Sequence, residues 1–360
     1  MKILHCIYDH TGNPWVAGGG AVRACELNRR LADRHDVTVV CGKYPGAKDY
    51  RENGLQFRFV GTPRNNYLLS TFSYAYHAAC FIRASKTDFD VIIEDFAAYN
   101  PLFSFLHNKN AVLQVHQKEG LHILRKYLLL GVPFYFLERF YPRFFRNSLT
   151  VSEISKKKFS LPDDSPVIQN GFDDIYLSVP EKPEDEYVLF LGRLEIDSKG
   201  LDILLDAWRN LTGIPLKIAG RGKDEKKMKE KINGFGISDS ASLLGFVQGQ
   251  EKIDYISRSK FMVIPSRFEG QPIVILEAAA LGKAVVVSDI PELSCAKEEG
   301  FGISFRTEDA TDLAEKITKL WHDKSLRKEM GQQGREFAKV FSWDRITERY
   351  EKFLLTVYNK

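Results

Sequence analysis

Glu269 and Glu277 bracket seven residues in a stretch that runs Pro265-Ser266-Arg267-Phe268-Glu269-Gly270-Gln271-Pro272-Ile273 and continues through Leu276 to Glu277. The apolar run 261–265 reads as a strand, Glu269 as a loop residue, and Pro272 as the first position of a new helix. Backbone N–H groups between Gly270 and Ile273 then face out of a helix N-terminus, where an anion is stabilised. Two carboxylates beside such a cradle make electrostatic sense only if they accept hydrogen bonds from hydroxyls. A sugar nucleotide supplies both parts, with phosphates for the cradle and hydroxyls on its sugar and its ribose. The plainer reading is one loop glutamate and one on a helix surface. Ala278-Ala279-Ala280 and the apolar run 284–287 point to a buried helix instead, which disfavours a solvated Glu277.

A second group of residues lies in the turn after the run 188–191. There Gly192-Arg193 is followed, after five residues, by Lys199-Gly200. Arg193 offers a planar fork of donors and Lys199 a point charge, a pair suited to two adjacent phosphates. Both cations could equally be surface groups paired with Glu195 or Asp197. Gly18-Gly19-Gly20 forms a third group, following the run 3–7 and preceding a helical pattern. It lets backbone approach a phosphate or sugar closely, or it is simply a flexible turn. It does not fit G-x-G-x-x-G, since Ala21, Val22 and Arg23 follow and Cys41-Gly42 stands where an acidic residue would end the next strand.

These groups need elements to hold them. Apolar runs at 3–7, 37–40, 55–60, 91–94, 111–115 and 149–151 alternate with helical patterns, as in βαβ units. A stretch rich in acidic residues and proline, 173–186, reads as a linker. A second alternating block follows, with strands expected at 188–191, 216–219, 243–247, 261–265 and 284–288. Two α/β halves joined near residue 175 are the simplest organisation. Ligands then belong at the carboxyl ends of the strands, with the expected site in a cleft where two such sheets face each other.

The order of these motifs resembles that of the retaining glycosyltransferases of family 4. Gly-Arg-Leu…Lys-Gly at 192–200 precedes Glu-Gly-x-Pro-x-x-x-x-Glu-Ala at 269–278. Asn170-Gly171-Phe172-Asp173, Gly220-Arg221-Gly222, Leu244-Gly245-Phe246 and Gly282-Lys283-Ala284 also fall in family order. The resemblance implies the GT-B fold: α/β, with two Rossmann-like doubly wound parallel-sheet domains facing a central cleft. Residues 1–172 would form the acceptor-side domain, with 342–360 crossing back to it, and 173–341 the nucleotide-sugar domain. The implied activity moves a hexose-type sugar from a UDP-, GDP- or similar nucleotide sugar to a glycan or lipid-linked acceptor, as in cell-surface polysaccharide synthesis. No metal or cofactor is expected.

Roles follow residue by residue from the resemblance. Arg193 and Lys199 would neutralise the donor diphosphate, Glu277 would hold the ribose and Glu269 the transferred sugar. Gly192, Gly270, Gln271, Pro272 and Ile273 would line the donor, Phe246 and Val247 would flank its base, and Gly19 and Gly20 would close over it. His116 resembles the family histidine that touches donor sugar or acceptor, although a histidine capping a strand is its plain alternative. Two departures stand out. Gln271-Pro272 shortens the common Gly-Phe-Gly-x-Pro pattern, and Arg221 occupies a position that is commonly acidic. A non-catalytic sugar-nucleotide or glycan-binding subunit and a sugar-nucleotide epimerase on the same scaffold are the rival readings.

Composition sets the outer limits. Lys plus Arg number 51 against 47 Asp plus Glu, a net +4 that excludes a general nucleic-acid binder. Five scattered cysteines without a CxxC pair argue against a disulfide framework and a zinc site. Asp88-Phe89-Asp90 matches a metal-binding Asp-x-Asp but reads as a loop at a strand edge. The opening residues are too mixed for a signal-peptide core, so the chain reads as cytoplasmic, or peripheral on the inner face of the membrane. The segment 125–146 mixes Arg125, Lys126, Arg139, Arg143 and Arg146 with leucines and aromatics. It suits contact with an anionic membrane surface, an acceptor groove, or a buried helix with snorkelling cations.

Overall fold

The computed structural model describes all of the chain except residues 16, 17, 64, 65 and 86 and the side chains of 67, 68, 122, 125 and 126. The chain divides into two compact units, Met1–Asn170 with Trp343–Lys360, and Gly171–Ser342. The junction falls at 170/171 rather than 172/173 because Phe172 pairs with the end of the second unit. Its amide donates to the Phe341 carbonyl (3.1 Å), and it forms a bridge to Ser342.

The described strands of the first unit are β1 (Lys2–Ile7), β2 (Asp36–Gly42), β3 (Tyr50–Glu52), β4 (Leu55–Val60), β5 (Val91–Asp95), β6 (Ala111–Val115) and β7 (Asn147–Thr150). They form a seven-stranded sheet in the order β3-β4-β2-β1-β5-β6-β7, parallel except for β3. Inner strands covered on both faces are apolar almost throughout, which is why β1, β2 and β5 read as continuous apolar runs. The chain reverses its winding direction between β1 and β5, so the loops after those strands flank the switch point. The helix Gly19–Leu31 follows β1, and Ala21, Ala24, Leu27 and Leu31 put its buried face on the sheet. The final helix, Trp343–Tyr358, packs on that helix, with Arg30 bonded to Asp344 (2.5 Å) and the Arg23 guanidinium 5.7 Å from the Tyr350 ring.

In the second unit the described strands are β8 (Val188–Leu191), β9 (Leu216–Ala219), β10 (Ala241–Gly245), β11 (Phe261–Ile264), β12 (Val285–Ser288) and β13 (Gly302–Phe305). All are parallel, in the order β10-β9-β8-β11-β12-β13, the doubly wound pattern with its switch point between β8 and β11.

Several expectations change in detail. The strand expected at 243–247 spans Ala241–Gly245, because Gly245 leaves the strand region at φ +78° and releases Phe246 and Val247 into the loop. Pro272 sits one residue before its helix, in extended conformation (φ −71°, ψ 126°), and Ile273–Ala280 is helical. The stretch 173–186 is not a free linker. Lys182 pairs with Asp254 (2.5 Å), Glu184 with Arg327 (2.7 Å) and Glu186 with Lys260 (2.7 Å), all within the second unit.

The segment 125–146 is not one buried helix. It breaks into the helix His122–Tyr127, a 3-10 turn Leu128–Gly131, the helix Val132–Phe140 and a second 3-10 turn Tyr141–Phe144. Leu128 to Leu130, Phe136, Phe140 and Phe144 are exposed, which removes the core reading for them; the side chains of Arg125 and Lys126 lie outside the described residues. Among the described residues no helix is long and apolar enough to cross a membrane.

Candidate active site

In the second unit four loops emerge from the carboxyl ends of β8, β9, β10 and β11, and their backbones are stitched together. Gly192 N–H donates to Ala219 (3.0 Å), Gly220 to Gly245 (2.7 Å), Leu194 to Arg221 (3.0 Å) and Arg267 to Ser198 (3.0 Å). Arg267 clamps the same region from its side chain, forking onto both oxygens of Asp202 (2.9 and 2.8 Å) and reaching Glu308. Hydrogen bonds to Glu308 and Asp202 raise its already high pKa.

Two glycines make this packing feasible. A Cβ on Gly220 (φ +148°) would lie 1.8 Å from the Gly192 carbonyl oxygen. A Cβ on Gly200 (φ +61°) would lie 2.0 Å from that of Pro265. Gly200→Ala therefore combines left-handed strain with a backbone clash that no rotamer relieves. It should destabilise the second unit by at least about 2 kcal/mol, read as a lower urea midpoint.

Within this frame Lys199, ending the short helix Ile196–Lys199, places its Nζ 2.5 Å from Glu269 Oε1. Ser266 Oγ donates to the same oxygen (2.7 Å), and Glu269 is buried. The two residues predicted to serve phosphate and sugar are thus neighbours, mutually neutralised. Arg193 is 45% exposed at its side chain and only loosely paired, 3.9 Å from Glu195 Oε2. Glu195 is held more closely by Lys223 (2.7 Å) and Ser198 (3.0 Å). Burial works to raise the Glu195 pKa, but the bond and charge of Lys223, the charge of Arg193 and the bond from Ser198 together outweigh it and lower it. Partial exposure and loose pairing leave Arg193 able to bind a ligand.

Glu277 lies in the buried first turns of Ile273–Ala280, beyond Gly270, Gln271 and Pro272. Its Oε1 meets Lys252 Nζ at 2.5 Å, while its Oε2 is buried with no hydrogen-bond partner among the described residues. Burial first, and then the nearby Glu277 carboxylate, push the Tyr176 hydroxyl up. Lys252 was invisible in sequence, because it is one lysine among several polar residues on the helix Gly249–Arg258. Phe246 is half-exposed, with the Arg221 guanidinium 4.4 Å from its ring centroid, and Val247 is buried. Arg221 in place of the common acidic residue thus makes a cation–π lid on Phe246.

The first unit holds a separate cluster. His116 follows β6, and its Nε2 bonds to Asp95 Oδ1, which also accepts from Gln114 Nε2 (2.9 Å). Asp95 Oδ2 accepts from His5 Nε2 (2.9 Å), and Asn28 Nδ2 stands 2.7 Å from His5 Nδ1. Asn28 thereby leaves the His5 proton on Nε2, facing Asp95. Asp95 ends β5 at the switch point, one residue past the expected strand end, and a carboxylate at that position was the signal available in sequence.

Burial works to raise the Asp95 pKa, but the charge of His116 and the bonds from His116 and His5 outweigh it and hold the group well below the carboxylate range. A depressed folded-state value stabilises the fold above the unfolded value of about 4, and that stabilisation is lost as pH falls towards the folded value. Asp95→Asn should lower the urea midpoint at neutral pH and flatten its fall between about pH 5 and 3.

Gly19 and Gly20 open the helix Gly19–Leu31, and the Gly18 amide is held by Asp9 Oδ2 (3.0 Å). In Asp88-Phe89-Asp90, Asp90 Oδ2 accepts the Lys2 amide (2.7 Å), as a strand-edge loop would.

Solved GT-B glycosyltransferases share this fold of two parallel-sheet α/β units. Sucrose-phosphate synthase from Thermosynechococcus elongatus superposes with a TM-score of 0.80 at 16% identity over 99% of each chain. HepE of Anabaena, solved with UDP and glucose, gives 0.75 at 18% identity over 99% of each. The family description Glycosyltransferase Family 4 matches residues 17–175, and Glycosyl transferases group 1 matches 174–337. The chain belongs to glycosyltransferase family 4. An uncharacterized glycosyltransferase of Methanocaldococcus jannaschii is 32% identical over 183 residues, covering 50% of each protein. An N-acetylgalactosamine-N,N'-diacetylbacillosaminyl-diphospho-undecaprenol 4-alpha-N-acetylgalactosaminyltransferase of Campylobacter jejuni is 28% identical over 192 residues, 52% of this chain and 50% of that protein. The match thus spans about half the length of these curated relatives.

Proposed function

We propose that the chain transfers a hexose-type sugar, with retention of configuration, from a nucleoside-diphosphate sugar to a glycan or lipid-linked acceptor. The observation that carries this reading is the Lys199–Glu269 pair at the switch point of the second unit, framed by Arg193 and the N-terminus of Ile273–Ala280. Cleaving a glycosyl–phosphate bond builds negative charge on the departing diphosphate. Fixed cations and helix amides stabilise that charge best because they need no reorganisation. Glu269 and Glu277 accept sugar and ribose hydroxyls, and His116, steadied by Asp95, contacts donor sugar or acceptor. Protein cations rather than a metal ion serve the diphosphate, so EDTA should leave turnover unchanged. HepE bound to UDP and glucose, and a relative named for a diphospho-undecaprenol acceptor, agree with this class of substrates.

The test is a panel of nucleotide sugars, monitored for nucleoside-diphosphate release with and without acceptors. Release with one donor, accelerated by an acceptor, supports transfer. Binding without release would replace the proposal by a binding subunit, and conversion of one nucleotide sugar into an isomer would replace it by an epimerase.

A further inference from the structure

The turn Leu128–Gly131 presents three consecutive leucines to solvent. Leu128, Leu129 and Leu130 are 75%, 87% and 77% exposed. A soluble surface tolerates scattered apolar side chains, but three adjacent ones held outward call for an occupant. The turn is built to project. Leu128 takes a positive φ (+51°), unfavourable for a bulky residue. Gly131 packs so closely that a Cβ there would lie 2.6 Å from the Ile123 carbonyl.

Beneath the turn the segment is anchored. Ile123 is fully buried, and Phe134 packs against Tyr99 (5.1 Å between ring centroids). Glu138 accepts the amides of Glu119 and Gly120, each at 2.7 Å. Along the same segment Phe136 stacks on Phe140, and Phe144 stacks on Phe105, with Phe136, Phe140 and Phe144 all exposed.

Charge selects the occupant. Residues 118–146 hold six basic and two acidic side chains. Both acids are engaged inward, Glu138 by the two amides and Glu119 by the Tyr99 hydroxyl (2.7 Å). Outward, the Arg143 guanidinium lies 5.2 Å from the Phe140 ring centroid, an aromatic–cation pair suited to a headgroup layer. Lys118 donates to the Lys158 carbonyl (2.6 Å), bringing the run Lys156-Lys157-Lys158 beside the segment. A protruding leucine tip in a predominantly basic surround fits lipid tails below anionic headgroups.

We propose that this face docks on an anionic lipid bilayer, with Leu128, Leu129 and Leu130 inserted below the headgroups and Arg139, Arg143 and Lys156 to Lys158 at their level. The docking does not depend on the transfer reaction, so a positive donor panel and a negative vesicle result would overturn this inference alone.

The test is co-sedimentation of the full chain with phosphatidylcholine vesicles and with vesicles enriched in phosphatidylglycerol. The expected result is binding to the anionic vesicles that weakens with salt. The triple variant Leu128→Ser/Leu129→Ser/Leu130→Ser should bind at least ~10-fold more weakly with unchanged circular dichroism. Arg139→Glu/Arg143→Glu should weaken binding to the anionic vesicles alone. Absence of binding to anionic vesicles, or equal binding by the leucine variant, would overturn the proposal. So would a concentration-dependent dimer in sedimentation velocity that the leucine variant abolishes, since a second copy of the chain would then be the occupant.

Discussion

Replacing Lys199 by alanine is expected to lower kcat/KM for the nucleotide-sugar donor by about 10²–10³-fold, most of it in kcat. In the unliganded chain the Lys199 ammonium is committed to Glu269 at 2.5 Å. A departing diphosphate carries more charge than that single carboxylate, so the lysine is drawn to it most strongly as the glycosyl bond breaks. An interaction that strengthens in the transition state appears in kcat, whereas one present equally in the bound donor appears in KM. The substitution also leaves Glu269 buried, with the Ser266 hydroxyl still donating to it. A stability change must therefore be separated from a catalytic one. Steady-state kinetics at saturating donor, alongside thermal unfolding, make the separation, and Lys199→Arg should recover part of kcat by restoring the charge. A folded alanine variant with wild-type kcat would remove Lys199 from the leaving-group site.

The elements that position this lysine were legible in sequence for a physical reason. A parallel strand covered on both faces must be apolar nearly throughout, so β6 and β8 declared both ends by composition alone, whereas β4 alternates, with Arg58 exposed between buried Phe57 and Phe59. Tyr50–Glu52 did not, because its three residues are all exposed at an antiparallel edge. Gly302–Phe305 is another edge strand, half-buried, whose Gly-Ile-Ser-Phe carries no run of β-branched residues.

The loop motifs were equally readable, since Gly192 to Gly200 and Glu269 to Glu277 are each local in the chain. What sequence could not disclose was how their charges pair. Lys199 meets Glu269 across 70 positions and Asp95 joins His5 across 90, and no spacing rule connects such residues. Phosphate and sugar roles were assigned to Lys199 and Glu269 separately, while their 2.5 Å contact makes them one mutually neutralised unit.

Lys252 poses the same problem with a larger consequence for stability. Its Nζ neutralises Glu277, a carboxylate 5% exposed whose second oxygen has no hydrogen-bond partner among the described residues. Removing one member of a buried ion pair strands the other charge, at a cost of about 3–5 kcal/mol, whereas removing both is close to neutral. Lys252→Met should therefore lower the stability of the second unit by that amount, and Lys252→Met/Glu277→Gln should recover most of it. Urea unfolding of the four proteins in this cycle measures the coupling directly.

The same cycle probes donor binding, because Oε1 is held by Lys252 and Oε2 is left to accept a hydroxyl. In the double variant the fold returns but the charged acceptor does not. A hydrogen bond to an ionised acceptor contributes about 1.5–3 kcal/mol. Affinity for the donor nucleotide should thus stay roughly 10- to 100-fold below wild type, with a smaller penalty for the 2′-deoxy nucleotide. Recovery of stability together with full nucleotide affinity would show that Glu277 supports the fold alone and that the ribose is held elsewhere.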